Sequence, residues 1–156
     1  MDISFLALNP KTRKEASGPY EVTLNGEPFH VEMAVVEADA ASSSKSVVFF
    51  SPKVELYQRV VSFTIPLGAK PGTYVIETDN PEHKVSAGLQ EIRHNSQPGP
   101  DDPLGWVTWY ISSKGSMQLI KWDQQILHMR GDFEFEVRIG DQQQYIKATF
   151  DLTEIK

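Results

Sequence analysis

Cysteine is absent from this 156-residue chain. That removes disulfides, thiolate zinc sites, iron–sulfur clusters and thiol nucleophiles together, and leaves any chemistry to histidine, carboxylates, hydroxyls and lysine. Basic residues are also in deficit, with 15 Lys and Arg against 21 Asp and Glu and a formal charge of -6. The field of such a chain repels a phosphate backbone, so nucleic acid is not an expected partner. Long apolar runs are missing too. The first apolar stretch, within MDISFLAL, stops at Asn9-Pro10 and has no basic segment before it, which is too short for a secretory core or a membrane span. A cytoplasmic location without membrane insertion is the expectation, with an envelope or secreted location as the alternative. Asn-x-Ser/Thr glycosylation sites do not occur.

Helix signals are scarce as well, because no segment keeps a capped apolar period of 3.6 residues. From Tyr20 onward the period is near two, punctuated by Gly, Pro, Asn and Asp, which predicts an all-β chain. At 40% hydrophobic and 23% charged residues, the composition suits one globular core. We therefore expect a single domain over residues 1–156, with 1–19 as a flexible N-terminal arm.

Asn25-Gly26 favours a type I′ turn and predicts a hairpin between strands 20–24 and 29–36. Residues 38–46 read as a small-residue linker, and 47–50 and 54–65 as strands. The run Gly68-Ala69-Lys70-Pro71-Gly72-Thr73 has the ingredients of a phosphate loop without its order or a following helix, and reads as a hairpin turn into strand 73–78. Residues 83–93 read as a strand weakened at Ala87-Gly88, with a short helix as the alternative. Residues 95–105 (NSQPGPDDPLG) are a surface loop. Beyond them, 106–112, 116–122, 126–139 and 145–155 read as a C-terminal meander of four antiparallel strands. In 126–139 the odd positions Leu127, Met129, Phe133, Phe135, Val137 and Ile139 are apolar, while the even ones are nearly all charged. In the last strand Ile146, Ala148, Phe150 and Leu152 share the apolar side. Each strand thus has one dry face, and without helices only a second sheet can cover it, giving a two-sheet antiparallel β-sandwich.

Two stretches carry a family likeness. The first is Pro71-Gly72-Thr73-Tyr74-Val75-Ile76; the second runs from Gly115 through Trp122-Asp123 to Gly131-Asp132-Phe133-Glu134-Phe135. Over residues 54–155 the chain resembles uncharacterised bacterial β-sandwich proteins of unknown function, which often occur as small envelope or surface proteins. The resemblance implies a fold and transfers no catalytic residue.

No cofactor or metal is called for by the sequence. The histidines His30, His83, His94 and His128 lack metal-ligand spacing, and Glu91 and His94 point to opposite sides of a strand. Asp101 and Asp102 suit either a turn or a calcium ligand set, and the turn is favoured. Arg130-Gly131-Asp132 spells an integrin-binding tripeptide but lies mid-strand. With no Gly-x-Ser-x-Gly elbow, no catalytic residue is assigned. The aromatics are the informative feature. Trp106 and Tyr110 share one face of a strand that leaves the proline-rich loop, so they form a candidate contact surface with His94, Asp101 and Asp102. The expected function is a non-enzymatic binding or protein-interaction module. The alternatives are a carbohydrate or apolar small-ligand binder, and a hydrolase of undetected type. Self-association through an edge strand is the expected oligomerisation route.

Overall fold

A computed structural model describes residues 15–39, 44–66, 68–77, 85–94, 106–112, 114–123 and 125–154. Twelve strands are present among them: β1 (Ala16–Ser17), β2 (Tyr20–Leu24), β3 (Glu27–Pro28), β4 (Met33–Asp39), β5 (Ser44–Phe50), β6 (Tyr57–Pro66), β7 (Gly72–Glu77), β8 (Ser86–Arg93), β9 (Trp106–Ile111), β10 (Lys114–Asp123), β11 (His128–Ile139) and β12 (Gln142–Glu154). They form two antiparallel sheets. The large sheet has seven strands in the order β3-β2-β12-β11-β10-β7, with β1 added to β12; the small sheet has five, β4-β5-β6-β8-β9. Described residues contain no helix.

The expected sandwich is the one observed. Val22, Met117, Leu119, Met129, Phe133, Phe135, Val137, Ile146, Ala148, Phe150 and Leu152 of the large sheet meet Ala34, Val36, Val47, Phe49, Val61, Phe63, Ile65, Ala87 and Leu89 of the small one in a shared core. Phe133 sits at its centre, stacked on Phe63 at 5.4 Å between ring centroids and touching Phe49 and Phe150 at 6.4 and 6.0 Å. The alternation in β11 and β12 therefore maps onto one dry and one wet face residue by residue. Gly131 falls on the dry side, where a Cβ would meet the Gln118 carbonyl oxygen at 2.4 Å, so the integrin-like tripeptide is part of a ladder.

Five expectations change. The 38–46 linker shrinks to the four residues outside the described set, since Ala38 and Asp39 end β4 and pair with Lys45 and Ser44 at the start of β5. The Asn25-Gly26 turn forms, with φ of 53° and 81°, but its return strand is only Glu27–Pro28. Pro28 has no N–H to extend the ladder, Phe29 turns into the core, and β4 starts in the other sheet. The 68–73 segment links the two sheets instead of closing a hairpin. The C-terminal meander has three strands, β10, β11 and β12, because β9 pairs with β8 in the small sheet. Ser112, buried where the chain changes sheets, donates its N–H to Ala87 and its hydroxyl to the Lys114 carbonyl, which satisfies the crossing. Finally, part of the expected N-terminal arm is built into the sheet, since Ala16 and Ser17 pair with Glu154 and Thr153; residues 1–14 lie outside the described residues.

A register shift interrupts the β10–β11 ladder between Leu119 and Lys121, making a bulge at Ile120. Past it, Trp122 lies opposite Met129 and packs on the core.

Candidate functional site

Three neighbouring strands of the small sheet change character along the face they turn toward the large sheet. In β6 that face reads Tyr57, Arg59, Val61, Phe63; in β8, Ala87, Leu89, Glu91, Arg93; in β9, Trp106, Thr108, Tyr110. Antiparallel pairing brings the polar ends together. Val61, Leu89 and Tyr110 form one cross-strand row, Arg59, Glu91 and Thr108 the next, and Tyr57, Arg93 and Trp106 the last. The first row belongs to the inter-sheet core or packs on it. The last two extend past it as a polar and aromatic shelf.

Exposure rises along the shelf. Arg59, Glu91, Thr108 and Tyr110 are half-buried, Arg93 is exposed, and the Trp106 side chain at the sheet edge is 71% exposed. Tyr57 donates its hydroxyl to Glu91, and its pKa is pushed up to about 12, first by burial and then by that bond and the Glu91 charge, with Arg59 opposing. The Tyr110 phenol is also raised, by burial and then by Glu91. Both phenols are neutral at physiological pH and remain hydrogen-bonding groups. Arg59 is held by stacking, its guanidinium 5.1 Å from the centroid of the buried Phe29 ring.

The turn that delivers Tyr57 is strained. Val54 and Tyr57 exchange backbone hydrogen bonds of 2.8 Å around Glu55 and Leu56, whose φ values are 49° and 69°. Glycine or asparagine is the usual occupant of such positions, so the neighbours must hold the geometry. His94 does so. Its backbone N–H donates to the Leu56 carbonyl at 2.7 Å and its Nε2–H donates to Gln58 Oε1 at 2.9 Å, while Gln58 Nε2 donates to the Ser51 carbonyl at 2.9 Å. Burial, and then the Lys53 charge, lowers the His94 pKa and favours the neutral ring.

Of the residues expected from sequence, Trp106 and Tyr110 share the shelf, as their spacing requires. His94 has the phase of Ile92 and serves the turn from the other side of the sheet. Asp101 and Asp102 lie outside the described residues. Tyr57, Arg59, Glu91 and Arg93 were missed. Their signal is a polar end to an otherwise apolar alternate series, and it becomes a site only once the register of three distant segments is known.

Elsewhere, the solvent face of the large sheet carries a shallow groove of about 380 Å³ lined by Glu21, Ile120, Arg130, Asp132 and Thr149 among others. At its edge His128 Nε2 and Asp151 Oδ1 are 2.5 Å apart. Near a second hollow, the Tyr145 hydroxyl donates to Glu134, which with burial pushes its pKa up to about 12. Among the described residues no three or more His, Asp or Glu side chains form a group that can hold a metal ion. No helix of the described chain is long and apolar enough to cross a membrane. Compared with known proteins, the chain matches no family model, no curated protein and no solved structure at a significant level.

Proposed function

We propose that this chain is a non-enzymatic binding module whose contact surface is the shelf of Tyr57, Arg59, Glu91, Arg93, Trp106 and Tyr110. The observation that carries the reading is Trp106, a large indole left 71% exposed in a cross-strand row with Tyr57 and Arg93. An exposed ring beside a fixed array of charged and hydroxyl groups fits a ligand with an apolar face and a hydroxylated rim, which is the chemistry of a sugar ring. Arg93 and Glu91 offer donors and acceptors on one face of the sheet, and the neutral phenols offer both.

Titration calorimetry against a panel of neutral and acidic oligosaccharides tests this. Trp106→Ala should weaken binding of any sugar that binds by tenfold or more while leaving the melting temperature nearly unchanged. A sugar that binds wild type and Trp106→Ala equally, or a panel with no binder, overturns the assignment.

A second reading rests on the position of β9. It is an edge strand, with only β8 beside it among the described strands. Edge strands accept an added strand from a partner or a second copy, and Trp106 would anchor one. Concentration-dependent dimerisation in light scattering, lost in Trp106→Ala, favours this reading over the carbohydrate one.

A further inference from the structure

Charge on the shelf runs against the charge of the chain. Over the whole sequence acid exceeds base, for a formal charge of -6, yet the shelf sets the guanidinium groups of Arg59 and Arg93 against the single carboxylate of Glu91. Register places Arg59 directly opposite Glu91, where a cross-strand ion pair is the usual outcome. It does not form. Glu91 takes the Tyr57 hydroxyl instead, and the Arg59 guanidinium lies 5.1 Å from the centroid of the Phe29 ring. Neither shelf arginine has a carboxylate or hydrogen-bond partner among the described residues. A guanidinium carries its N–H donors in a planar fork, and that of Arg59 is held half-buried with no acceptor.

The two arginines are placed to act on one group. They stand on neighbouring strands in adjacent rows of the same face, since Arg59 pairs with Glu91 and Arg93 follows two residues further along β8. Diagonal neighbours of this kind lie about 7 to 8 Å apart, a gap that two arginine side chains can close on a single anion. Arg93 also stands between Tyr57 and Trp106 in the outermost row. An anion held there is therefore carried by whatever ring is seated on the indole. Of the small anionic groups, a carboxylate matches the guanidinium fork with two coplanar oxygens.

Taking the shelf as the contact surface, a reading on which this depends, we propose that it selects acidic saccharides. The carboxylate of a hexuronate is held between Arg59 and Arg93, its ring rests on Trp106, and Glu91 with the Tyr57 and Tyr110 phenols takes the ring hydroxyls. Stacking on the indole serves any sugar. The arginines supply the choice among sugars, because charge complementarity acts on specificity more than on affinity. Arg93, exposed and beside the indole, is the specificity-determining residue, and Arg59, fixed on Phe29, is the rigid half of the clamp.

Titration calorimetry of the full chain at low salt tests this with oligogalacturonate, oligoglucuronate and oligomannuronate, each beside its methyl ester. The ester keeps the ring and its hydroxyls and loses the charge. At least one acid should bind about tenfold or more tighter than its ester, and the difference should shrink as salt is raised. Arg93→Gln should cut that preference to about twofold or less while leaving ester affinity and melting temperature unchanged. Trp106→Ala should weaken acid and ester alike. An ester that binds as tightly as its acid overturns the selection and leaves the shelf standing as a sugar site. An acid preference fully retained in Arg93→Gln puts the anion contact elsewhere and overturns it as well. If no acid and no ester binds, the selection falls together with the carbohydrate reading of the shelf.

Discussion

Along β11 of the large sheet, dry Met129, Phe133, Phe135 and Val137 alternate with the polar Arg130, Asp132, Glu134, Glu136 and Arg138, and only the first set is buried. Along β5 of the small sheet, Val47, Val48, Phe49 and Phe50 follow one another and every one is buried. The same backbone carries both patterns; the difference lies in how many faces are covered. A strand with one wet face declares its orientation in sequence, while a strand dry on both faces declares only its depth.

The largest effect expected from this contrast is at Phe50. If the outer face of the small sheet is as well packed as the core, Phe50→Ala should cost about 3 to 5 kcal/mol, as Phe49→Ala should on the inner face. Urea unfolding of both variants checks it, and a cost under about 1 kcal/mol for Phe50→Ala would make that face wet.

Lys45 comes next. Its ammonium is fully buried on the inner side of β5, donates to the Ala69 carbonyl at 3.0 Å and lies 4.4 Å above the Trp122 ring, with no carboxylate partner among the described residues. Burial lowers its pKa from 10.5 to about 8. Between those values the unfolded chain still holds the proton that the folded chain has released. Stability should therefore climb as pH rises from about 8 to about 10.5, with no contribution to the slope below that window. Lys45→Met should abolish the climb and stabilise the protein at pH 7 by about 1 to 4 kcal/mol, because a desolvated ammonium without a carboxylate partner among the described residues is removed. Denaturant titrations of both proteins across the pH range read out each part.

A smaller loss is expected at Gly131 on the dry side of β11. Gly131→Ala places a Cβ 2.4 Å from the Gln118 carbonyl oxygen and should cost about 1 to 3 kcal/mol in thermal unfolding. The smallest effects belong to the wet surfaces: Glu134→Ala and Trp106→Ala should each change stability by about 0.5 kcal/mol or less. A Trp106→Ala loss of 3 kcal/mol or more in the same assay would place that ring in the core and remove the shelf's outer edge.

Legibility followed the same division. The period-two pattern gave the sandwich, the faces of β11 and β12, and the shared side of Trp106 and Tyr110, because each is a local relation between residues two or four apart. The jump of β9 into the other sheet was not legible, since Ser112 marks the crossing only through its bonds to Ala87 and Lys114. Nor was the company of Trp106: Tyr57 lies far away in sequence, and its place beside Arg93 and Trp106 is a product of register. The expectation that joins His94 to Trp106 fails on phase, since His94 follows Ile92 on the opposite side of the sheet.

The bulge at Ile120 makes β10 two reading frames in one strand. Before it, Met117 and Leu119 face inward at odd numbers; after it, Trp122 does so at an even one. Loss of Ile120 itself would leave Leu119 opposite Gly131 and Lys121 opposite Arg130 in an unbroken ladder, with both halves still facing as they do now. Loss of Gln118 would also close the ladder, but would put Leu119 opposite Asp132 on the wet face and Ile120 opposite Gly131 on the dry one, exchanging a core leucine for an isoleucine. Within this strand, then, Ile120 is the position where the chain can change length without any residue changing sides.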